Sequence, residues 1–405
     1  MLKCALGAVA LILGGCTAVP PSSTPALPTP SLPSSTQPVD NQSEPAASPS
    51  PPPGPSDPAF EFGVIDQRYT TPTLDYKSDG TSLIWSSSAA DGPAATSAAD
   101  LWRYVPGGSE PERIFVNTHR DSTLDIVAGD GEGHFAFVER NQGVYGDSGW
   151  RLWYLAEAGG SPIQLDASDD ASATVPFFAI DAGRVVWGAV HESGGGPRSQ
   201  LLYYDPAAGD TVVLQEGDPN EIGFAFPSLD GDRVAYSAFV APDRDPATQE
   251  FRIYELDLAR PSGEPVRLDD GGDPAMPVLT DDYVVWKVAP DNAYGWGQLA
   301  ITDQTTGEMW NVAPSAMHTD AELSFNYPSI GAGYVAAYDT NHNSLYLYDL
   351  ASRRAVLVED LGEERNEGER DAVLVRPHIQ GALLAFIQGS DDLAQDLILR
   401  YAWVP

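Results

Sequence analysis

Residues 283–290 read YVVWKVAP, and the chain repeats that pattern six more times: SLIWSSS from Ser82, HFAFVER from His134, RVVWGAV from Arg184, RVAYSAF from Arg233, YVAAYDT from Tyr334 and LLAFIQG from Leu383. The fourth residues, Trp85, Phe137, Trp187, Tyr236, Trp286, Ala337 and Phe386, follow one another at steps of 52, 50, 49, 50, 51 and 49. So regular a period means one supersecondary unit used over and over. Such a unit cannot bury its own faces and must stack on its copies.

The fourth unit, residues 226–270, shows what is repeated. It holds four short apolar runs, FPSL, RVAYSAF, FRIYELDL and PVRLDD, separated by Asp/Gly, Pro/Asp and Pro/Ser/Gly turns. Short runs rich in β-branched and aromatic residues and bounded by turn formers are strands. No segment beyond residue 58 carries a helical period. Pro227, Pro277, Pro328 and Pro377 each stand nine residues before their anchor position, and Leu229, Leu279, Ile330 and Ile379 stand seven before it. Third runs close on Asp205, Asp257, Asp303 and Asp349, at the mouth of a hairpin where a carboxylate accepts turn N–H groups. Four antiparallel strands per unit and seven units predict an all-β, seven-bladed β-propeller, with six full blades and a damaged seventh as the alternative.

The two ends predict how the ring closes. The seventh unit stops after its third run, DLILRYAWVP, while AFEFGVI, residues 59–65, precedes the first unit and belongs to none. Pairing this segment beside the last run completes blade seven and covers an otherwise open edge. The propeller domain is therefore expected to span 59–405.

Ahead of it, both cysteines fall within the first sixteen residues, MLKCALGAVALILGGC. The propeller thus has no disulfide, thiol nucleophile or cysteine-ligated metal. The apolar run from Cys4 to Leu13 is too short for a bilayer span, which needs roughly 20 residues. Its end, LGGC, resembles the bacterial lipobox, which implies a lipoprotein signal peptide over 1–15 and a lipid on Cys16. Residues 17–58 are dominated by Pro, Ser and Thr, and nothing there repays the entropy of ordering. They are expected to be a disordered tether reaching roughly 130 Å at about 3.1 Å per residue. The expected place is outside the cytoplasm, on the cell membrane or the outer membrane.

The net charge is −36, and residues 1–58 contribute only −2 of it, Lys3 against Asp40, Glu44 and Asp57. The propeller keeps only two lysines, Lys77 and Lys287. A field of that sign repels nucleic acid and anionic lipid, leaving basic partners and divalent cations compatible. Solubility alone also explains it.

With LDGDRVAY followed by IYELD and GEPVRL, the blades resemble those of TolB-like, WD40-like propellers, whose consensus has a Pro-Asp-Gly turn before an apolar strand. The resemblance covers 59–405 and implies an extracytoplasmic bacterial propeller used for binding. TolB proper carries an N-terminal α/β domain, where this chain has a proline-rich tether. Prolyl peptidases append an α/β-hydrolase to a similar propeller, and this chain ends with its seventh unit.

Catalytic motifs fail their own tests. GDSGW, residues 146–150, resembles the nucleophile motif of trypsin-like proteases, but neither His119 nor His134 has a matching context, so it reads as a loop between strands two and three of blade two. DTNHN, residues 339–343, has the oxygen alternation of a calcium loop but Ser344 and Leu350 where glycine and glutamate are required. It reads as a hairpin turn. The six histidines are scattered, and no cofactor is expected; a divalent cation has no specific motif.

Loop lengths point instead to a face. Links between strands one and two, and three and four, are short; those between strands two and three, and from blade to blade, are long and share one end of a propeller. That end is acidic and gathers aromatic residues. The candidate binding face comprises Tyr145, Trp150, His191, Asp243, Asp269, Asp270, Tyr294 and Trp296, with Asp273 and Asp320 as further acids. Rings among acids suit a sugar or a protein anchor, whereas packing of those rings onto the blade tops is the plainer alternative. The expected function is a monomeric binding module for an envelope protein or glycan. A carbohydrate-active enzyme at the channel mouth is the alternative, and a pair of buried carboxylates about 5–10 Å apart there would favour it.

Overall fold

The computed structural model describes residues 60–405 apart from 67–68, 71–72, 88–99, 119–121, 142–148, 171–172, 242–248, 262, 289–296, 313–324, 340–343, 361–372 and 390–397. No α-helix occurs among the described residues. Strand β1 is Gly63–Val64. Blade one follows with β2 Thr73–Ser78, β3 Leu83–Ser87, β4 Asp100–Tyr104 and β5 Glu112–Phe115. Blade two has β6 Ser122–Gly129, β7 Phe135–Asn141, β8 Trp150–Leu155 and β9 Ile163–Ser168; blade three has β10 Phe178–Asp181, β11 Arg184–Ser193, β12 Gly196–Asp205 and β13 Asp210–Gly217. Blade four has β14 Ile222–Asp230, β15 Arg233–Val240, β16 Glu250–Asp257 and β17 Val266–Arg267; blade five has β18 Pro274–Leu279, β19 Tyr283–Val288, β20 Gln298–Asp303 and β21 Met309–Asn311. Blade six has β22 Phe325–Gly331, β23 Tyr334–Asp339, β24 Ser344–Asp349 and β25 Arg354–Asp360, and blade seven has β26 Val373–Gln380, β27 Leu383–Gly389 and β28 Ile398–Trp403.

The sheets are seven, each of four antiparallel strands, and β1 supplies the fourth strand of blade seven. Gly63 pairs with Tyr401 and Val64 with Arg400, and Ile65 N–H donates to Leu399 O at 3.0 Å. The fold is the seven-bladed propeller, closed as the chain ends predict. A Cβ at Gly63 would sit 2.0 Å from the Tyr401 ring, so a larger residue there must displace that ring.

The anchor residues explain the period. All seven are at most 1% exposed, and each heads one of seven apolar clusters, one at each junction between neighbouring blades. On β15, Val234, Tyr236 and Ala238 pack against blade three while Ala235 packs against blade five. A strand buried on both faces reads as an unbroken apolar run, which is why the second strands carried the clearest signal. The hairpin aspartates cap their turns: Asp205 Oδ1 accepts Ala207 N at 2.8 Å, Asp257 accepts Ala259 N at 2.9 Å, Asp303 accepts Thr305 and Thr306 N, and Asp349 accepts Ala351 and Ser352 N.

Candidate functional site

The innermost strand of each blade bounds the central channel. On β14, Phe226, Ser228 and Asp230 are half-buried, while Pro227 and Leu229 between them are buried. One face of the strand therefore meets the channel and the other the core, as the twofold period of a strand requires. The equivalent half-buried residues include Lys77 on β2, Ala128 on β6, Ala179 on β10, Val278 on β18 and His378 on β26.

Side chains on or just after these strands reach across to the innermost strand of the next blade or to the turn that follows it. Asp75 accepts Val127 N at 2.9 Å, Asp130 accepts Gly183 N at 2.7 Å and Asp181 accepts Gly231 N at 3.0 Å. Further round, Ser228 Oγ accepts Leu279 N at 2.9 Å, Ser329 Oγ accepts Ile379 N at 3.0 Å and His378 Nδ1 accepts Ser78 N at 3.2 Å. The last bond joins blade seven to blade one.

The repeated prolines mark a second regularity. In β14 Ala225 pairs with Ser237 and Ser228 with Ala235, so Phe226 and Pro227 together oppose the single anchor Tyr236. Met276 and Pro277 oppose Trp286 in the same way, Tyr327 and Pro328 oppose Ala337, and Arg376 and Pro377 oppose Phe386. Proline has no N–H to lose, so a bulge is a tolerable place for it. The residues before it are strained: Phe226, Met276 and Tyr327 have φ of 47°, 57° and 52°. An L-residue held there costs on the order of 1–3 kcal/mol. The bulge places Phe226 against Phe177 of blade three, with ring centroids 4.3 Å apart, and Phe177, Phe226 and Tyr327 are all half-buried. Half-buried rings thus stand on the innermost strands of blades four and six, with Phe177, just ahead of β10, packed on the first of them.

Blade two offers a carboxylate at its own bulge. Asp125 accepts the Thr123 hydroxyl at 2.6 Å and pairs with Arg140, and burial pushes its pKa up. Asp75 on β2 is buried and serves its structural bond. Each carboxyl has its own local partners.

Of the face residues expected from sequence, Tyr145, Asp243, Tyr294 and Trp296 lie outside the described residues, as does Asp320. Trp150 opens β8 at 1% exposure, so it is part of the core between blades two and three and not of an exposed aromatic patch. The strand period decides this, since Trp150, Leu152 and Tyr154 share one buried face. Asp269 is also buried: its carboxylate accepts Ile253 N at 2.7 Å and Gly271 N at 3.0 Å and pairs with Arg267. Asp270 is exposed. His191 lies near the end of the long β11 strand, with Nε2 3.1 Å from Asp166 Oδ2, and that bond raises its pKa. The same carboxylate oxygen takes the Trp187 indole N–H at 2.7 Å.

Asp273 was expected as an acid of the face, but its interaction with Lys287 was not, and neither was a cluster on blade two. Asp273, before β18, has φ of 52°, and burial raises its pKa although the Lys287 charge opposes that; burial also lowers the pKa of Lys287. Asp130, Glu132 and His134 bring ligand-type atoms within 4.8 Å of one another. A D-x-E-x-H pattern was available to find them. The donor set nevertheless fits a cation poorly, because Asp130 already accepts the N–H groups of Glu132, His134 and Gly183 and faces His134 Nδ1. Asp79 closes the equivalent turn of blade one in the same manner, accepting from Thr81 and Ser82.

No family model matches the chain, and no curated protein matches it in sequence. Solved structures match in fold. One of two prolyl endopeptidases aligns at 12% identity over 84% of this chain and 50% of its own, with a TM-score of 0.57. The β-propeller domain of the Trilobed protease from Pyrococcus furiosus aligns at 10% identity over 85% of this chain and 94% of its own, at 0.54. An oligogalacturonate lyase from Vibrio parahaemolyticus aligns at 11% over 85% of this chain and 97% of its own, at 0.51. The chain spans about half the length of the prolyl endopeptidase. At such identities the likeness is one of fold, shared by peptidase propellers and a lyase alike. The Pyrococcus domain is described as an open velcro, whereas here β1 closes the ring against β28.

Proposed function

We propose that this protein is a binding module, carried outside the cytoplasm by a lipid on Cys16 and the tether of residues 17–58, that takes an envelope protein or glycan at the long-loop mouth of its channel. The observation that carries the reading is the run of strained pre-proline bulges at Phe226, Met276 and Tyr327. Strain repeated at one place in three successive blades shapes the channel wall there, and it brings half-buried rings into a strongly acidic molecule. The blade pattern that resembles TolB-like propellers supports an extracytoplasmic binding role. The protein acts as a monomer on this reading.

A glycosidase or lyase at the channel mouth is the alternative, since an oligogalacturonate lyase shares the fold. Against it, Asp75 is committed to Val127 N and Asp125 to Thr123 and Arg140, and fold does not decide function. Asp230 on β14, whose pKa burial and the neighbouring Asp281 and Asp181 raise, is the inner-strand carboxyl that this alternative would use.

The test is a thermal-shift screen of the purified full-length protein against envelope glycans, peptides and divalent cations, because a ligand of the native state raises its melting point. The expected result is a shift that Tyr327→Ala or Phe226→Ala abolishes. A shift indifferent to both substitutions, or turnover of a glycan, removes the binding-module reading. Incorporation of labelled palmitate, lost in Cys16→Ser, tests the anchor separately.

A further inference from the structure

We propose that the closing junction of the ring is an acid-released latch, in which neutral His378 holds the backbone amide of Ser78 and protonated His378 lets it go. The position is defined by the repeat. Ser228, Ser329 and His378 stand at the same place in blades four, six and seven, and each accepts the N–H of the corresponding residue in the next blade, Leu279, Ile379 and Ser78. Two of these junctions use a hydroxyl, which has no titration to undergo. The third uses an imidazole, the side chain whose ordinary range falls between pH 5 and 8.

The tautomer follows from the bond. Nδ1 accepts, so the neutral ring carries its proton on Nε2. A second proton must go to Nδ1, which turns the acceptor into a donor aimed at the Ser78 donor. The bond cannot survive that change.

The surroundings give the cation no shelter. On β2, Lys77 lies beside Ser78 and repels a charged ring. On β27, Ala385 pairs with His378, and from β22 the Ser329 hydroxyl is already committed to Ile379 N and Pro377 O. The titratable group of β2 on the other side of Lys77 is Tyr76, whose hydroxyl accepts Ile387 N at 3.2 Å. Among the described residues no carboxylate holds the charged form, and burial with Lys77 places the His378 pKa well below the usual imidazole range. His378 retains some surface open to the channel, so a proton has access to it.

The location matters as much as the chemistry. This bond joins residues 300 positions apart, where the other two join residues about one repeat apart. Blade seven is also where the two-residue β1 completes the sheet. Release at this junction loosens the seam between blades seven and one, which the chain itself crosses only between β1 and β2.

The sign is fixed by linkage. An opened junction binds the proton near pH 6.5 and the closed one only far lower, so closure is undisturbed above about pH 6.5 and weakens as the pH falls below it. Between pH 7.5 and 5.0 the opening constant should rise by up to about 30-fold on that basis. Hydrogen exchange of the full-length protein, corrected for the intrinsic pH dependence, reads this directly. The expected result is selective loss of protection in β2 and β26 at pH 5.0, with β10 and β14 unchanged. His378→Asn, which keeps an acceptor and removes the titration, should hold protection at both pH values; His378→Ser, the residue two other junctions use, serves if the asparagine variant does not fold. The latch is overturned if wild-type β2 and β26 keep their protection at pH 5.0, if they lose it together with the other blades, or if a folded variant loses it as the wild type does.

Discussion

Two arcs of the same ring solve the same problem with different chemistry. From blade one to blade four the junctions are held by carboxylates, Asp75, Asp130 and Asp181, each accepting an amide of the next blade. From blade four round to blade one the acceptors are neutral, Ser228, Ser329 and His378, and they sit beside the proline bulges. Val278 occupies that place in blade five and cannot accept. A buried carboxylate is tolerable only when several donors share its charge, and Asp130 has gathered four. A hydroxyl makes no such demand; innermost-strand bulges occur in both arcs, and the strained pre-proline ones lie in the neutral arc. The neutral arc is the one that carries the strained pre-proline residues, and it is the arc to which the proposed ligand is assigned.

The sharpest way to break this comparison is to remove the closing strand that the neutral arc depends on. Deleting residues 59–66 uncovers β28 and takes away buried Ile65 and the Phe62 ring that packs on Phe386. A loss of about 3–5 kcal/mol is expected, a fall in melting temperature on the order of 10 °C. An unchanged melt would show that β1 does not hold the ring.

Next in size is the contrast between arcs. Asp130→Ala leaves several turn and junction donors unsatisfied at once and should cost about 3 kcal/mol, while Ser329→Ala strands chiefly Ile379 N and should cost about 1–2 kcal/mol. Equal losses in denaturant melts would mean that the two chemistries are interchangeable.

The smallest effect sharpens the comparison by removing it. Ala182 and Ala332 are exposed turn residues, one in each arc, with φ of 48° and 49°. Glycine adopts that conformation freely, so Ala182→Gly and Ala332→Gly should each stabilise by up to about 1 kcal/mol, and by the same amount. A difference between them would show that turn strain is coupled to the arcs.

Blade number, strand order within a blade and the closing role of residues 59–65 were legible because they rest on local patterns. An anchor buried on both faces of a second strand leaves an unbroken apolar run, and an aspartate ahead of a tight turn caps it wherever it stands. The junction acceptors were not legible, although all but His378 lie about one repeat from their partners. Ser228 stands between the repeated proline and the repeated Leu or Ile, which marks its place in the blade but not that its hydroxyl bridges to the next one. Trp150 was misread for a related reason: its place beside a long acidic loop suggested exposure, and the register of β8 turned it into the core.

The sequence by itself determined that seven like units must share their faces, because no unit of about 50 residues with four short strands can bury its apolar sides alone. Only the tertiary structure decided which groups meet across those faces. Bonds such as Ser329 to Ile379 and His378 to Ser78 exist only after the ring has closed, because they depend on the relative height and rotation of two sheets. Those are set by the packing of all seven blades together.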